Sequence, residues 1–317
     1  MSGTGKPADG RILVVRLGAM GDIIHTLPAV AALKQNHPET HLTWLVEAKW
    51  SALLEENPSV DRVMILRRGS LGGLLDTWRE LRAERYDFAV EFQGLLKSAL
   101  CAKAARAGRV YGFHESLLRE RAAGLFYSHK TLSQSVHIVD RNLDLALACG
   151  TGIQPVQRVF PLPPGRPEGE LPPGDFVLAS PLAGWRSKQW PMEYYAQLAE
   201  RLKQNLGIPL VLNGPPDSAL PHRSGLPGLI YATRRALAVV GVDSGPLHLA
   251  AALGKPGVAI FGPTDPARNG PYGDTLRVLR APAADTTYER GSQIDTAMRQ
   301  ITPGQVFESL LAGSLAR

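Results

Sequence analysis

The sequence predicts two successive α/β domains, each a parallel sheet with helices on both faces. Three observations support this. Apolar runs of strand length alternate with amphipathic helical stretches along most of the chain. A Pro/Gly-rich stretch at 155–173 splits that alternation into two sets. The length, 317 residues, is long for one core and comfortable for two.

The first set opens at 11–16 with a continuous apolar run, the signature of a strand buried on both faces. Further strands are expected at 42–46, 62–66 and 87–91, with helices at 22–36, 72–85 and 95–106. Residues 132–149, with Ala/Leu periodicity near their end, read as another helix. The second set runs strand 175–180, helix 191–206 opened by Pro191, strand 208–213, helix 226–236, strand 237–242, helix 246–253 and strand 256–261. A last helix at 303–315 is placed to pack back across both domains. The domains are therefore drawn at 1–155 and 174–300, with 301–317 as a C-terminal helical segment.

Two strand–turn–helix junctions carry the chemistry. In the second domain, Asp243-Ser244-Gly245-Pro246-Leu247-His248 turns a strand into an Ala/Leu-rich helix. Asp243 or Ser244 is placed to cap that helix, Pro246 suits its first turn, and Gly245 lets a ligand approach the backbone. Free N–H groups and the positive helix end converge where a phosphate can sit, though a plain capped turn has the same sequence. In the first domain, Gly18-Ala19-Met20-Gly21-Asp22 follows strand 11–16. The spacing is GxxGD, not the GxGxxG of dinucleotide-binding folds, and no acidic ribose ligand follows in a second strand, so a nicotinamide enzyme is disfavoured. Asp22 stands both at an N-cap position and at the carboxyl rim of the first strand, where open α/β sheets bind ligands.

Composition narrows the class. No apolar run approaches the ~20 residues of a membrane-spanning helix. The first ten residues are polar and glycine-rich, so a cytoplasmic protein is expected. Residues 62–141 hold 14 Lys/Arg against 8 Asp/Glu, a surplus equal to the net +6 of the whole chain. That half suits an anionic partner, including peripheral contact with the inner membrane. No nucleic-acid-binding pattern is present. Cys101 and Cys149 read as reduced core residues, and no cluster has zinc spacing. A monomer is expected.

In order and spacing, GAMGDIIHTLPA, AGWRSKQWP, VGVDSGPLHLAAALGKP and FGPTDPARNGPYG resemble the ADP-heptose:lipopolysaccharide heptosyltransferases, glycosyltransferase family 9. The resemblance spans nearly the whole chain. FQGLLKS at 92–98 and the stretch 119–127 are most similar to the heptosyltransferase I branch. It implies the GT-B fold, two Rossmann-like domains with parallel sheets facing an interdomain cleft. It implies an inverting transfer of heptose from ADP-L-glycero-D-manno-heptose to the Kdo/lipid A inner core. The first domain then binds the acceptor and the second the nucleotide sugar.

The resemblance also assigns roles. Asp22 becomes the base, and Lys188 of the KQWP motif neutralises the pyrophosphate. Asp243 meets the donor sugar, Ser244 and Gly245 offer backbone N–H groups, and Gly184 lies in the loop before Lys188. His248 fits either a diphosphate contact or a buried structural histidine; Thr264 and Asp265 fit either a nucleotide pocket or a capped turn. Gly21, Lys97 and Arg119 lie in matched acceptor-side motifs, and Arg67, Arg68 and Lys130 are added by charge. There is no DxD motif, so no metal and no cofactor beyond the donor substrate is expected. One departure stands out. Only nine residues, 217–225, lie where a further helix, a short strand and an acidic ribose ligand are expected, and Ser218 stands near the place of that acid. Two other readings stay open: a related glycosyltransferase with another nucleotide sugar or acceptor, and a non-catalytic sugar-nucleotide-binding protein.

Overall fold

The computed structural model describes residues 10–150, 158–214, 221–282, 284–287 and 289–315. The chain divides into two compact units, Met1–Pro163 and Pro164–Arg317.

The first unit contains β1 (Arg11–Val15), α1 (Met20–Asn36), β2 (His41–Glu47), β3 (Arg62–Leu66), α2 (Leu71–Ala83), β4 (Phe88–Glu91), α3 (Leu96–Ala104), β5 (Arg109–Phe113), β6 (His129–Thr131) and α4 (Ile138–Leu147). Its six strands lie in the order β3-β2-β1-β4-β5-β6, all parallel. Ile12 to Val15 are fully buried because neighbours cover this central strand on both faces, which explains its unbroken apolar run. The chain winds outward in one direction from β1 to β2 and in the other from β1 to β4. The crevice outside the carboxyl ends of β1 and β4, at the Val15–Glu91 pair, is therefore the topological switch point.

The second unit contains β7 (Val177–Ser180), α5 (Met192–Leu206), β8 (Leu210–Leu212), α6 (Leu226–Arg235), β9 (Ala238–Val242), α7 (Gly245–Ala252), β10 (Gly257–Phe261), α8 (Pro266–Asn269), β11 (Leu276–Arg280), α9 (Thr296–Gln300) and α10 (Pro303–Gly313). The strand order is β11-β10-β9-β7-β8, again all parallel, with the switch point between β7 and β9. Trp190, Tyr195, Leu198, Val240, Ile260 and Phe307 share its core. The helix α10 packs on α5, β10 and β11.

Several expected boundaries need correction. The helix predicted from 22 starts at Met20, which moves Asp22 from the N-cap to the third helical position. The helix predicted from 132 starts only at Ile138, where His137 Nδ1 accepts the Val139 N–H at 3.1 Å. Three strands went unpredicted. Two are β6 (His-Lys-Thr) and β11 (Leu-Arg-Val-Leu-Arg), sheet edges whose residues are mostly exposed or half-buried; the third, β5, opens on an exposed arginine. None has the continuous apolar run of a buried parallel strand. The short helices α8 and α9 were also missed; each is capped by an aspartate, Asp265 and Asp295. Both cysteines are free thiols, and burial pushes Cys101 up to about 11 and Cys149 to about 12, so neither ionises readily.

Candidate active site

At the rim of the first unit, the turn after β1 must fit under Trp50. A Cβ on Gly18 would lie 2.7 Å from the indole nitrogen, which accounts for that glycine. The helix α1 follows at once, with Gly21 buried in its first turn and Asp22 half-exposed beside it. One Asp22 oxygen accepts the Ala19 N–H at 3.0 Å, and the other meets Arg16 Nη2 at 2.8 Å. Arg16 is 5% exposed, and its other terminal nitrogen donates to the Phe92 carbonyl. The carboxylate is thereby held at a helix N-terminus with one face open to solvent, a favourable place for negative charge.

Beneath it lies a residue that sequence reasoning passed over. Glu91, at the carboxyl end of β4, is fully buried. Its oxygens accept the Gln93 N–H at 2.8 Å, the Gly94 N–H at 2.9 Å and the Tyr127 hydroxyl. Gln93 Oε1 in turn accepts the Leu17 N–H at 2.8 Å, so the buried acid braces the loop that leads into Asp22. A lone acid in an apolar strand resembles a core exception in sequence. The signal that could have found it is its place next to Gln93-Gly94 at a strand end.

Burial raises Glu91 above the ordinary glutamate value of 4.5, outweighing the opposing hydrogen bonds from Tyr127, Ser98, Gly94 and Gln93. Its native proton is held to higher pH than in the unfolded chain. Its contribution to stability is therefore full below 4.5 and declines as pH rises toward the raised native value. Urea unfolding of wild type and Glu91→Gln across acid to neutral pH should show the wild type losing ground to the variant as pH rises. A pH-independent difference would show that Glu91 titrates normally. Glu91→Ala, which strips acceptors from two N–H groups and a phenol, should cost about 2 kcal/mol or more.

Four of the basic candidates divide among three carboxylates. Glu47, at the end of β2, gathers Arg68 at 3.0 Å, Lys49 at 3.6 Å and Lys97 at 3.7 Å, leaving a surplus of positive charge around one buried acid. Arg67 turns instead toward α2, where it meets Glu80 at 3.1 Å. Arg119 is exposed on a loop tied to the β4 rim through Glu120, which donates its N–H to the Gly94 carbonyl and accepts the Leu96 N–H. Lys130 is engaged by Glu115.

At the second unit's switch point, the segment after β7 forms a short 3₁₀ turn, Arg186–Lys188, before Pro191 starts α5. Trp190 supports it from below, buried against Tyr195 and donating its indole N–H to the Ile301 carbonyl at 2.8 Å. Gly184 lies in this loop with open space where a Cβ would stand. Lys188 Nζ lies 4.8 Å from the Trp185 ring centre and donates to Asp243 Oδ2 at 2.9 Å. Asp243 follows β9 directly, is 6% exposed, and meets His248 Nε2 at 3.4 Å through its other oxygen. Burial acts to raise Asp243, but the His248 hydrogen bond and the Lys188 charge win and hold it well below the usual carboxylate range.

Ser244, not Asp243, is the N-cap of α7, and its side chain makes no capping bond. Pro246 at the second helical position has no N–H, so Gly245 carries the open donor of the first turn. The hydroxyls of Ser244, Thr264 and Ser187 are buried without a partner among the described residues. Asp265 caps α8 by accepting the Ala267 N–H at 2.9 Å. Beside the α7 N-terminus an open cavity of about 360 Å³ is lined by Ser180, Leu182, Asn213, Gly214, His222, Arg223, Ser224 and Pro246. The sequence offered no motif for this lining, because it gathers short pieces from the ends of β7 and β8, the run before α6 and the first turn of α7. Ser218 and the rest of 215–220 lie outside the described residues. Among the described residues no group of three or more His, Cys, Asp or Glu side chains is arranged to hold a metal ion. No described helix is long and apolar enough to cross a membrane.

The pattern of glycosyltransferase family 9 (heptosyltransferase) matches residues 74–221 and 219–296, two stretches that meet inside the short segment noted above. Lipopolysaccharide heptosyltransferase 1 of Escherichia coli (strain K12) is 30% identical over 301 residues, covering 86% of this chain and 94% of that protein. The same-named protein of Pseudomonas aeruginosa (strain PAO1) is 30% identical over 297 residues, covering 83% and 81%. The solved structure of the E. coli heptosyltransferase WaaC with ADP superposes with a TM-score of 0.78 at 27% identity, covering 95% of this chain and 99% of that one. A second WaaC structure holds ADP-2-deoxy-2-fluoro heptose. The expected class, two parallel-sheet α/β domains of the GT-B fold, is borne out.

Proposed function

Because the chain belongs to glycosyltransferase family 9, the heptosyltransferases, we infer that it transfers heptose from ADP-L-glycero-D-manno-heptose to the Kdo/lipid A inner core of lipopolysaccharide, with inversion. The observation that carries this reading is the Lys188–Asp243–His248 cluster at the second unit's switch point, with unpartnered hydroxyls on Ser244, the next residue after Asp243, and on Thr264, just past β10.

Asp22 takes the proton from the acceptor hydroxyl, and that oxygen forms a bond to the anomeric carbon of heptose. The bond from that carbon to the diphosphate oxygen breaks, and ADP leaves with the electron pair. Lys188 has three donors, so it can keep Asp243 and still stabilise the charge that grows on the departing diphosphate. Asp243, ionised at any working pH, accepts from heptose hydroxyls, while Ser244, the Gly245 N–H, His248 and Thr264 ring the phosphates. The cavity lined by Asn213, His222 and Ser224 suits the nucleoside. On the acceptor side, Lys97, Arg68 and Arg119 meet Kdo carboxylates and lipid A phosphates, with Arg67 and Gly21 bordering them. No step in this scheme requires a metal.

Purified protein given ADP-heptose and Kdo-lipid A should release ADP and form a heptosylated lipid, with UDP- and GDP-sugars inactive. Turnover with another nucleotide sugar alone would favour the related-transferase reading suggested by the short 217–225 segment. Tight ADP-heptose binding without turnover would favour a non-catalytic binding protein.

A further inference from the structure

The helix α2 is built the wrong way round for a helix that only covers a sheet. Its buried residues are Thr77 and Leu81, while Leu71 is 82% exposed, Leu74 42%, Leu75 46% and Trp78 46%. At 3.6 residues per turn these four form one stripe about 100° wide. The contacting helix α3 extends the apolar surface with the exposed Leu96 and Leu100. The charges are sorted around it. Arg82 continues the stripe one turn on and lies 5.0 Å from the Trp78 ring centre, and Lys97 and Lys103 are exposed on α3. The acids of α2 sit on its other side and are engaged, Glu80 by Arg62 and Arg67 and Asp76 by Arg79.

A contiguous exposed apolar patch marks an interaction surface. Leucines and a tryptophan on one face, an arginine at the end of the stripe and acids opposite are the pattern of a helix that lies flat in the interface of an anionic bilayer. The whole chain's surplus positive charge falls within 62–141, the part that carries this helix. We propose that the α2 stripe, with Leu96 and Leu100, is the surface by which this protein docks on anionic phospholipid membranes. The leucines enter the acyl boundary, Trp78 sits at headgroup depth and Arg82 pairs with lipid phosphate. Apart from Lys97, no residue of this surface belongs to the donor or acceptor assignments.

Co-sedimentation of the full chain with phosphatidylglycerol-rich vesicles tests it, with pure phosphatidylcholine vesicles as the comparison. The wild type should bind the anionic vesicles and release as salt rises. Leu75→Glu/Trp78→Glu should lower partitioning by at least about tenfold. Arg82→Glu should weaken binding to the anionic vesicles only, and Val278→Glu, an exposed position in the second unit, should behave as wild type. Circular dichroism of each variant checks that it is folded. Three results would overturn the proposal: no binding by the wild type, wild-type partitioning of the folded double variant, or a wild-type dimer in sedimentation velocity that the double variant dissociates. The last would assign the stripe to a second copy of this chain.

Discussion

Asp22→Asn should lower kcat by roughly 10²- to 10⁴-fold while ADP-heptose binding, read by calorimetry, stays within a few-fold of wild type. The substitution keeps the side chain's size and an oxygen for the Ala19 N–H, and removes the capacity to take a proton together with the charge that faces Arg16. A carboxylate at the third helical position contributes about 0.3–1 kcal/mol through the helix dipole, and its half-exposed pair with Arg16 about 0–1 kcal/mol more, so the melting temperature should move by only a few degrees. An activity loss of that size cannot then be laid to unfolding. Arg16 supplies a graded companion. As a positioning residue, it is expected to reduce kcat by about tenfold when changed to methionine, with donor KM unchanged and partial recovery in Arg16→Lys. Normal turnover in Asp22→Asn would remove Asp22 from the mechanism and leave it as a helix-terminal charge.

The parts of the site that the sequence made legible are those in which a local rule and a chemical role coincide. Asp243-Ser244-Gly245-Pro246 reads as a strand–turn–helix junction because each residue type suits its backbone position, and the structure has that junction at a switch point. The central strands were legible because burial on both faces forces unbroken apolar runs. Where long-range packing decides, the sequence was silent. The pairing of Lys188 with Asp243 joins residues 55 positions apart and depends on β7 lying beside β9, which no local pattern encodes. Glu91 and Tyr127 find each other across 36 residues in the same way. Arg67 and Arg68 are adjacent and alike in sequence, yet one reaches Glu80 and the other Glu47. The sequence also misplaced the start of α1 by two residues, because Ala19 is an unusual N-cap and Asp22 resembles a conventional one.

Lys188→Ala should lower kcat by about 10²- to 10³-fold and raise the donor KM, because the diphosphate would depart without the cation assigned to it. The same change strands a buried carboxylate, and breaking a buried ion pair costs about 3 kcal/mol. Stability and catalysis must therefore be separated. In the wild type the low Asp243 value sustains a contribution to stability above pH 3.8 that is lost only as pH falls through the depressed native value. Without Lys188 that value rises and acid unfolding begins at higher pH, which a urea series on the variant would record. Adding Asp243→Asn removes the stranded charge, so the double variant should regain most of the lost stability and its acid resistance. It should not regain turnover, since the cation assigned to the diphosphate is gone and the sugar hydroxyls have lost the anionic acceptor assigned to them. Turnover restored together with stability would mean that Lys188 serves only as the counter-ion of Asp243, and leaving-group stabilisation would then have to come from elsewhere on the α7 rim.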